Sequence, residues 1–211
     1  MRGLGAAGSP RAARVILAIA LSTVACRRPG PHEDALTQAI LMRDVQAAER
    51  AIAAGVDYRV RISPNGSPSA TFPMFIVSEM GRDGRAIAPL ERVAVAVFAA
   101  GASPNCEVGA GRRKVYLVEK AVATGRPALV EAMLKAGLDV KGEGTSRALV
   151  TACGLGHTAV VERLVAAGAD VNYHWRGHGS NPGVETPLSE AVQGRHLAVI
   201  ELLERAGAKE W

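Results

Sequence analysis

The chain has 211 residues and a formal net charge of +5, from 25 lysines and arginines against 20 aspartates and glutamates. Residues 1–25 contain three arginines and no acidic residue, so the rest of the chain carries 22 basic and 20 acidic residues, a balance of +2. The basic charge therefore belongs mainly to the N-terminal segment, and nucleic-acid binding loses its main support. The remaining length and hydrophobic content suit one domain with an ample core.

The N-terminal segment has the pattern of an export signal. Arg2, Arg11 and Arg14 precede the apolar or small run "VILAIALSTVAC", and no acidic residue appears before Glu33. A basic start, a short apolar region and small residues at its end predict a secretory signal peptide over residues 1–25. Twelve apolar or small residues are too few for a membrane span, which needs about 20.

The end of this segment, "LSTVAC", resembles a bacterial lipobox, although Thr23 stands where leucine is usual. In lipoproteins the signal is cut before the cysteine, which then carries the acyl chains. The resemblance implies that Cys26 is lipidated and that the protein is exported to the periplasm and anchored to the cell envelope membrane. Cleavage without lipidation and an uncleaved anchor remain as alternatives. The linker "RRPGPHED", Arg27 to Asp34, spans at most about 28 Å.

Beyond the linker, five similar stretches follow one another: "ERAIAAGVD", "VAVFAAGAS", "EAMLKAGLD", "ERLVAAGAD" and "ELLERAGAK". Their glycines are Gly55, Gly101, Gly137, Gly168 and Gly207, at intervals of 46, 36, 31 and 39 residues. Self-similarity near 33 residues, with insertions between units, is typical of a stacked helical repeat.

Other positions repeat in the same register. Sixteen residues before four of these glycines stand the alanines Ala39, Ala121, Ala152 and Ala191, and six residues before them stand Glu49, Glu131, Glu162 and Glu201. We expect the alanine to pack a first helix closely against its neighbours and the glutamate to lie on the solvated side of a second helix. The glycine suits the left-handed residue just past a helix end.

The segments "GLGHTAVVERLVAAGADVN" and "TPLSEAVQGRHLAVIELLERAGA" are similar to the ankyrin-repeat family, with its TPLH, Gly-His and GADVN signatures. The resemblance implies an all-α solenoid of about five helix-turn-helix units with extended connecting loops. It covers residues 35–211, in units of approximately 35–65, 66–111, 112–142, 143–184 and 185–211. "RALV" replaces TPLH in the fourth unit, Ser189 replaces its histidine in the fifth, and the second unit has about eight extra residues between its helices.

The histidines and cysteines favour structural roles. His157 and His196 fall in the turns between helices, where the ankyrin family uses histidine to hold the loop. Cys153 is expected to be a small core residue. A disulfide between Cys106 and Cys153 is disfavoured, because stacked repeats about 10 Å apart exceed the roughly 7 Å limit between bridged Cα atoms.

The connecting loops carry the candidate partner-binding residues. The insertion from Tyr173 to Glu185 concentrates residue types that dominate interface hot spots. An aromatic residue folded back over its own repeat is the alternative there, and for residues 112–114 a solvated charge run is the favoured interpretation over a binding role. The partner-binding candidates are Tyr173, His174, Trp175, Arg176, His178, Tyr58, Arg59, Arg61, Arg112 and Arg113.

No catalytic motif, phosphate loop or complete metal signature is present in the sequence. The favoured function is therefore a non-catalytic module that binds a protein partner through its concave loop and first-helix surface. We expect a monomer that needs no cofactor or metal. Two alternatives remain, a metal-dependent hydrolase that uses the H-x-x-x-H pair His174 and His178, and a purely structural envelope tether.

Overall fold

A computed structural model describes residues 29–62, 70–82, 87–108, 114–176 and 184–209. The helices in this part of the chain are α1 Pro31–Met42, α2 Val45–Ala53, α3 Phe72–Arg82, α4 Ile87–Ala99, α5 Leu117–Ala123, α6 Pro127–Lys135, α7 Glu143–Gly154, α8 Thr158–Ala166, α9 Pro187–Gln193 and α10 Leu197–Arg205. The strands are β1 Arg61–Ile62, β2 Ala70–Thr71, β3 Glu107–Val108, β4 Val115–Tyr116, β5 Trp175–Arg176 and β6 Val184–Glu185.

The helices form five antiparallel pairs that stack side by side. The first helices α3, α5, α7 and α9 pack in one row, and the second helices α2, α4, α6, α8 and α10 pack in another. Each helix also contacts its own partner, as in α1 with α2 and α9 with α10. The predicted solenoid of five helical pairs is therefore confirmed.

Three of the connections between units are short β-hairpins. Arg61 pairs with Thr71, Glu107 pairs with Tyr116, and Trp175 pairs with Glu185, all in antiparallel register. Each hairpin leads from a second helix to the first helix of the next unit, so the hairpins follow the same edge of the stack. The connection from α6 to α7 has no strand, and α7 instead begins early, at Glu143.

One continuous hydrophobic core runs through all five units, from Leu36 to Leu203. The repeated alanines lie inside it: Ala121, Ala152 and Ala191 have no exposed surface and Ala39 has 4%. The repeated glutamates are exposed or half-exposed on the second helices. The spacing of these residues therefore predicted the packing faces of both helix rows correctly.

The five repeat glycines all follow a second helix with φ between 85° and 95°. In this left-handed region their amides close the helix end, as Gly168 does by donating to the Val165 carbonyl over 2.9 Å. The turn histidines have the predicted structural position. The ring of His196 lies against Gly156, and its Nε2 is 2.9 Å from the Gly154 carbonyl oxygen.

The extra residues of the second unit lengthen its helices, which corrects the expectation that they lie between them. Helix α3 has 11 residues and α4 has 13, whereas α5 has 7 and α6 has 9. "GRDGRAIAP" therefore contributes to the end of α3 and the start of α4, with residues 83–86 outside the described part. Cys106 and Cys153 are both free thiols. Among the described helices, none combines the length and hydropathy of a membrane span.

Candidate binding groove on the first-helix face

A polar cluster joins the third and fourth units on the first-helix row. The Arg147 guanidinium in α7 lies 2.9 Å from the Glu119 carboxylate in α5, and both side chains are mostly buried, with 17% and 15% exposed. The guanidinium also lies 5.5 Å from the centre of the Tyr116 ring. The Tyr116 hydroxyl donates to Glu143 Oε2 over 3.0 Å. One arginine therefore contacts a carboxylate and an aromatic ring across the boundary between two units.

The local sequence explains why Arg147 lies inside helix α7 instead of capping it. Arg147 and Thr186 each stand five residues before the buried alanine of their units, but only Thr186 caps a helix, by accepting from the Ser189 amide over 3.0 Å. Helix α7 begins four residues before Arg147, with Gly142 as its N-cap. Arg147 thus lies inside a helix, and its side chain can reach Glu119 on the neighbouring helix.

The early start of α7 depends on small and hydroxyl-bearing residues. Thr145 and Ser146 are buried, and their hydroxyls donate to the carbonyls of Asp139 and Gly142. Gly144 lies against the Tyr116 ring, where an added Cβ would be 2.7 Å from the ring carbon Cγ. "GEGTSR" therefore builds an additional helical turn that the ring of Tyr116 can cover.

A groove of about 360 Å³ opens beside this cluster, between α5, α7 and the start of α9. Its lining residues are Glu119, Arg147, Val150, Thr151, Gly154, Leu155, Glu185 and Glu190. Leu155 is 49% exposed there, so the groove combines an apolar contact with charged groups. Three carboxylates and one guanidinium line it, which makes the groove acidic in a chain whose formal charge is positive.

The Glu190 carboxyl is partly desolvated and lies near the negative charge of Glu185. Burial raises the pKa of this carboxyl above its usual range, and the negative charge of Glu185 raises it further. Tyr173 lies close enough to the polar cluster of Glu119, Glu143 and Arg147 for their charges to act on its hydroxyl. Burial raises the pKa of the Tyr173 hydroxyl, with Glu143 adding to the shift and Arg147 opposing it.

The Tyr173–Glu185 insertion contains strands β5 and β6, and Glu185 of β6 lines the groove. Tyr173 is half-buried and His174 is exposed. Trp175 and Arg176 form strand β5, which pairs with Val184 and Glu185. Residue 178 lies outside the described part of the chain. The hairpin therefore brings Glu185 to the groove, whereas the proposed roles of Tyr173, Trp175, Arg176 and the His174–His178 pair stay predictions.

The remaining candidates lie in the connections of the first two units. Tyr58 is half-buried against the core, and burial raises the pKa of its hydroxyl. Arg59 is exposed, and Arg61 begins strand β1. Residues 112 and 113 lie outside the described part, and the adjacent Lys114 forms an ion pair with Glu107 at 3.0 Å. The structure does not bring Tyr58 or Arg59 into the lining of the groove.

Four residues that give the groove its charge were not predicted from the sequence: Glu119, Arg147, Glu185 and Glu190. The sequence did show one indication of Arg147: in "RALV" an arginine stands at the position where the family pattern has a helix-capping threonine. The glutamates gave no comparable signal, because they occur at different positions of their repeats and become neighbours only when the units stack. Among the described residues, no three His, Cys, Asp or Glu side chains are grouped so that they could hold a metal ion.

Comparison with solved structures agrees with this architecture. The chain is similar to the crystal structure of the human ASB11 ankyrin repeat domain, with a TM-score of 0.61 and 20% sequence identity over 82% of this chain and 69% of that chain. The protein thus has the ankyrin-repeat fold that its sequence motifs predicted. No protein-family profile and no curated protein matches the chain.

Proposed function

We propose that this protein is a non-catalytic interaction module, tethered to the membrane of the bacterial cell envelope, that binds a protein partner through its first helices and hairpins. The observation that carries the proposal is the groove of about 360 Å³ lined by Glu119, Arg147, Leu155 and Glu190. Its walls are packed helices whose faces point away from the core, so the surface is formed before any partner arrives. Preformed surfaces bind with a smaller ordering cost.

The β5–β6 hairpin extends this surface at one side. Glu185 of strand β6 lines the groove, and the charges of Glu143, Arg147 and Glu119 act on the Tyr173 hydroxyl, so both ends of the insertion lie near the polar cluster or the groove. We propose that Trp175 and Arg176 contribute contacts from this hairpin, together with His174 and His178. The basic loops at Arg59, Arg61, Arg112 and Arg113 are proposed as secondary contacts.

Truncation of the hairpin tryptophan tests the binding role. Trp175→Ala should weaken capture of the partner by at least about 2 kcal/mol, since tryptophan is a frequent hot-spot residue. The thermal midpoint should stay nearly unchanged, because no repeat position provides a core site for this residue. A variant that melts much earlier but captures its partner normally would assign Trp175 to packing instead. Bound zinc in the purified protein would favour the metal-dependent hydrolase.

The membrane tether rests on the signal-like segment 1–25 and on Cys26. A diacylated or triacylated cysteine holds a protein on a bilayer durably, since each buried methylene contributes about 0.8 kcal/mol. Cys26→Ser should release the protein from membranes or stall its processing. Full membrane retention of correctly processed Cys26→Ser protein would contradict the lipid anchor.

A further inference from the structure

Glu185 and Glu190 lack the ion pairs that most glutamates of the described helices and hairpins form, and unlike the exposed, unpaired Glu162 and Glu204 they line a groove. Within the described residues, basic side chains lie within ion-pair distance of seven of the other glutamates: Glu49, Glu91, Glu107, Glu119, Glu131, Glu143 and Glu201. In the same part of the chain, neither Glu185 nor Glu190 has a basic side chain within ion-pair distance. They also repel each other, which is one cause of the raised pKa of Glu190. Among the described side chains, these two carboxylates of the groove therefore have no cation partner.

The surroundings of this pair favour a side chain over a free ion. Gly154 leaves room for Glu190, because a Cβ on Gly154 would be 3.1 Å from Glu190 Oε2. Next to it, Leu155 exposes about half of its surface to the same groove. A hydrated metal ion gains nothing from the apolar wall, whereas the aliphatic stem of arginine or lysine can pack on it.

An interaction of the same kind, a guanidinium against a carboxylate, already occurs in this groove. Arg147 lies within the same groove lining, against the Glu119 carboxylate and beside the Tyr116 ring. This pair shows that the wall between α5 and α7 accommodates a guanidinium with a carboxylate partner. The half of the groove formed by Glu185 and Glu190 has the same acceptor chemistry without an internal donor among the described side chains.

We propose that the groove receives an arginine or lysine from an extended segment of the protein partner, with an apolar neighbour of that residue on Leu155. This inference rests on the proposed function and specifies the partner's chemistry. The volume of about 360 Å³ lies near the lower end of ligand sites, about 300 to 1,000 Å³, and suits one or two side chains. Charge complementarity gives the specificity, because an acidic segment would add to the repulsion between Glu185 and Glu190.

The test is selection of random displayed peptides on the full-length protein in detergent. Three forms are compared: the wild type, the double variant Glu185→Gln and Glu190→Gln, and the matched control Glu162→Gln and Glu204→Gln. Both pairs of changes remove two negative charges from the last two units, but Glu162 and Glu204 are exposed on the second helices. Thermal melting of each form verifies that the fold is retained.

The wild type and the control should enrich arginine- or lysine-containing peptides with an apolar neighbour. The groove variant should lose this enrichment, and a selected peptide should bind it at least about tenfold more weakly, as expected when a charge partner is removed. Absence of basic enrichment on the wild type, or enrichment that survives in the groove variant, would overturn the inference. Crosslinking of a cellular partner to this face through a segment without basic residues would leave the proposed function standing and reject only the basic-segment inference.

Discussion

Ala152 shows how little room the stack leaves for a single side chain. It has no exposed surface, and its helix α7 packs between α5 and α9. Leucine at this position adds three carbon atoms to a contact that the backbone can relieve only by moving a helix. The close spacing of the first helices therefore depends on alanine at the repeated position.

We expect Ala152→Leu to lower the free energy of unfolding by about 1 to 3 kcal/mol, because overpacking forces strained rotamers or backbone shifts. Denaturant unfolding measures the change. Ala198→Leu in α10 is the control, since it makes the same substitution at an exposed alanine and should cost little. Equal effects of the two substitutions would show that Ala152 does not set the helix spacing.

Cys153 gives a pH-dependent prediction at the same scale. Burial raises the pKa of its thiol from 9.0 to about 12, and the charge of Glu190 adds to the shift. Below pH 9.0 the thiol is protonated in both the folded and the unfolded protein. Above pH 9.0 the unfolded chain loses the thiol proton while the folded protein keeps it, so the free energy of unfolding falls as pH rises. The stability advantage of the wild type over Cys153→Ala should therefore shrink above pH 9.0. A difference that stays constant as pH rises above 9.0 would contradict the burial of this thiol.

At the scale of the helical unit, two glycines with similar backbones have different surroundings. Gly168 has φ +93° and no atom within 4 Å of an added Cβ, whereas Gly156 has φ +72° and the His196 ring 2.4 Å from that position. Gly168 is therefore needed only for the left-handed backbone that ends the helix. Gly156 is needed for the left-handed backbone of the turn and also for the packing of the His196 ring of the next unit against it.

Gly168→Ala should cost about 1 to 2 kcal/mol, the usual penalty for a left-handed residue with a Cβ. Gly156→Ala should cost more than Gly168→Ala, because it also displaces the His196 ring and breaks the contact of its Nε2 with the Gly154 carbonyl. Urea unfolding of both variants checks the order. A reversed order would mean that the histidine moves aside without loss.

The polar junction between the third and fourth units is the element that repeat spacing could not predict. The glycines, alanines and glutamates predicted the helix pairs because each has a local cause that recurs in every unit. Arg147 depends on an additional turn of α7, and its partner Glu119 lies 28 residues earlier in the chain. Such a pair follows from the stacking of two units and from no pattern within one unit.

Arg147→Met should destabilise the protein by roughly 1 to 3 kcal/mol, because it removes the cation partner of the mostly buried Glu119 carboxylate, which then keeps, among the described residues, only the hydrogen bond from the Tyr116 amide. The double variant Arg147→Met and Glu119→Leu should be more stable than the sum of the single changes predicts, since both charges are then removed. A double-mutant cycle in denaturant measures this coupling. Strict additivity would show that the ion pair contributes nothing to the junction.

At the scale of the whole molecule, the two rows of helices present different surfaces. The second-helix row is covered by ion pairs between successive units, such as Glu49 with Arg92 and Glu91 with Arg126. The first-helix row carries the groove and is bordered by the hairpins. The sequence predicted the two helix rows and assigned the partner-binding candidates to the connecting loops. It did not predict the groove, because the groove forms only where α5, α7 and α9 stack next to each other.

Site-specific photocrosslinking in intact cells tests the central claim most directly, that a protein partner binds the first-helix face. A photoreactive phenylalanine analogue replaces Leu155 in the groove, and in a second strain it replaces Glu162, which is exposed on the second-helix row. We predict that a protein partner is crosslinked at Leu155 and that none is crosslinked at Glu162. Crosslinking at Glu162 instead of Leu155, or the absence of a protein adduct at both positions, would contradict the claim.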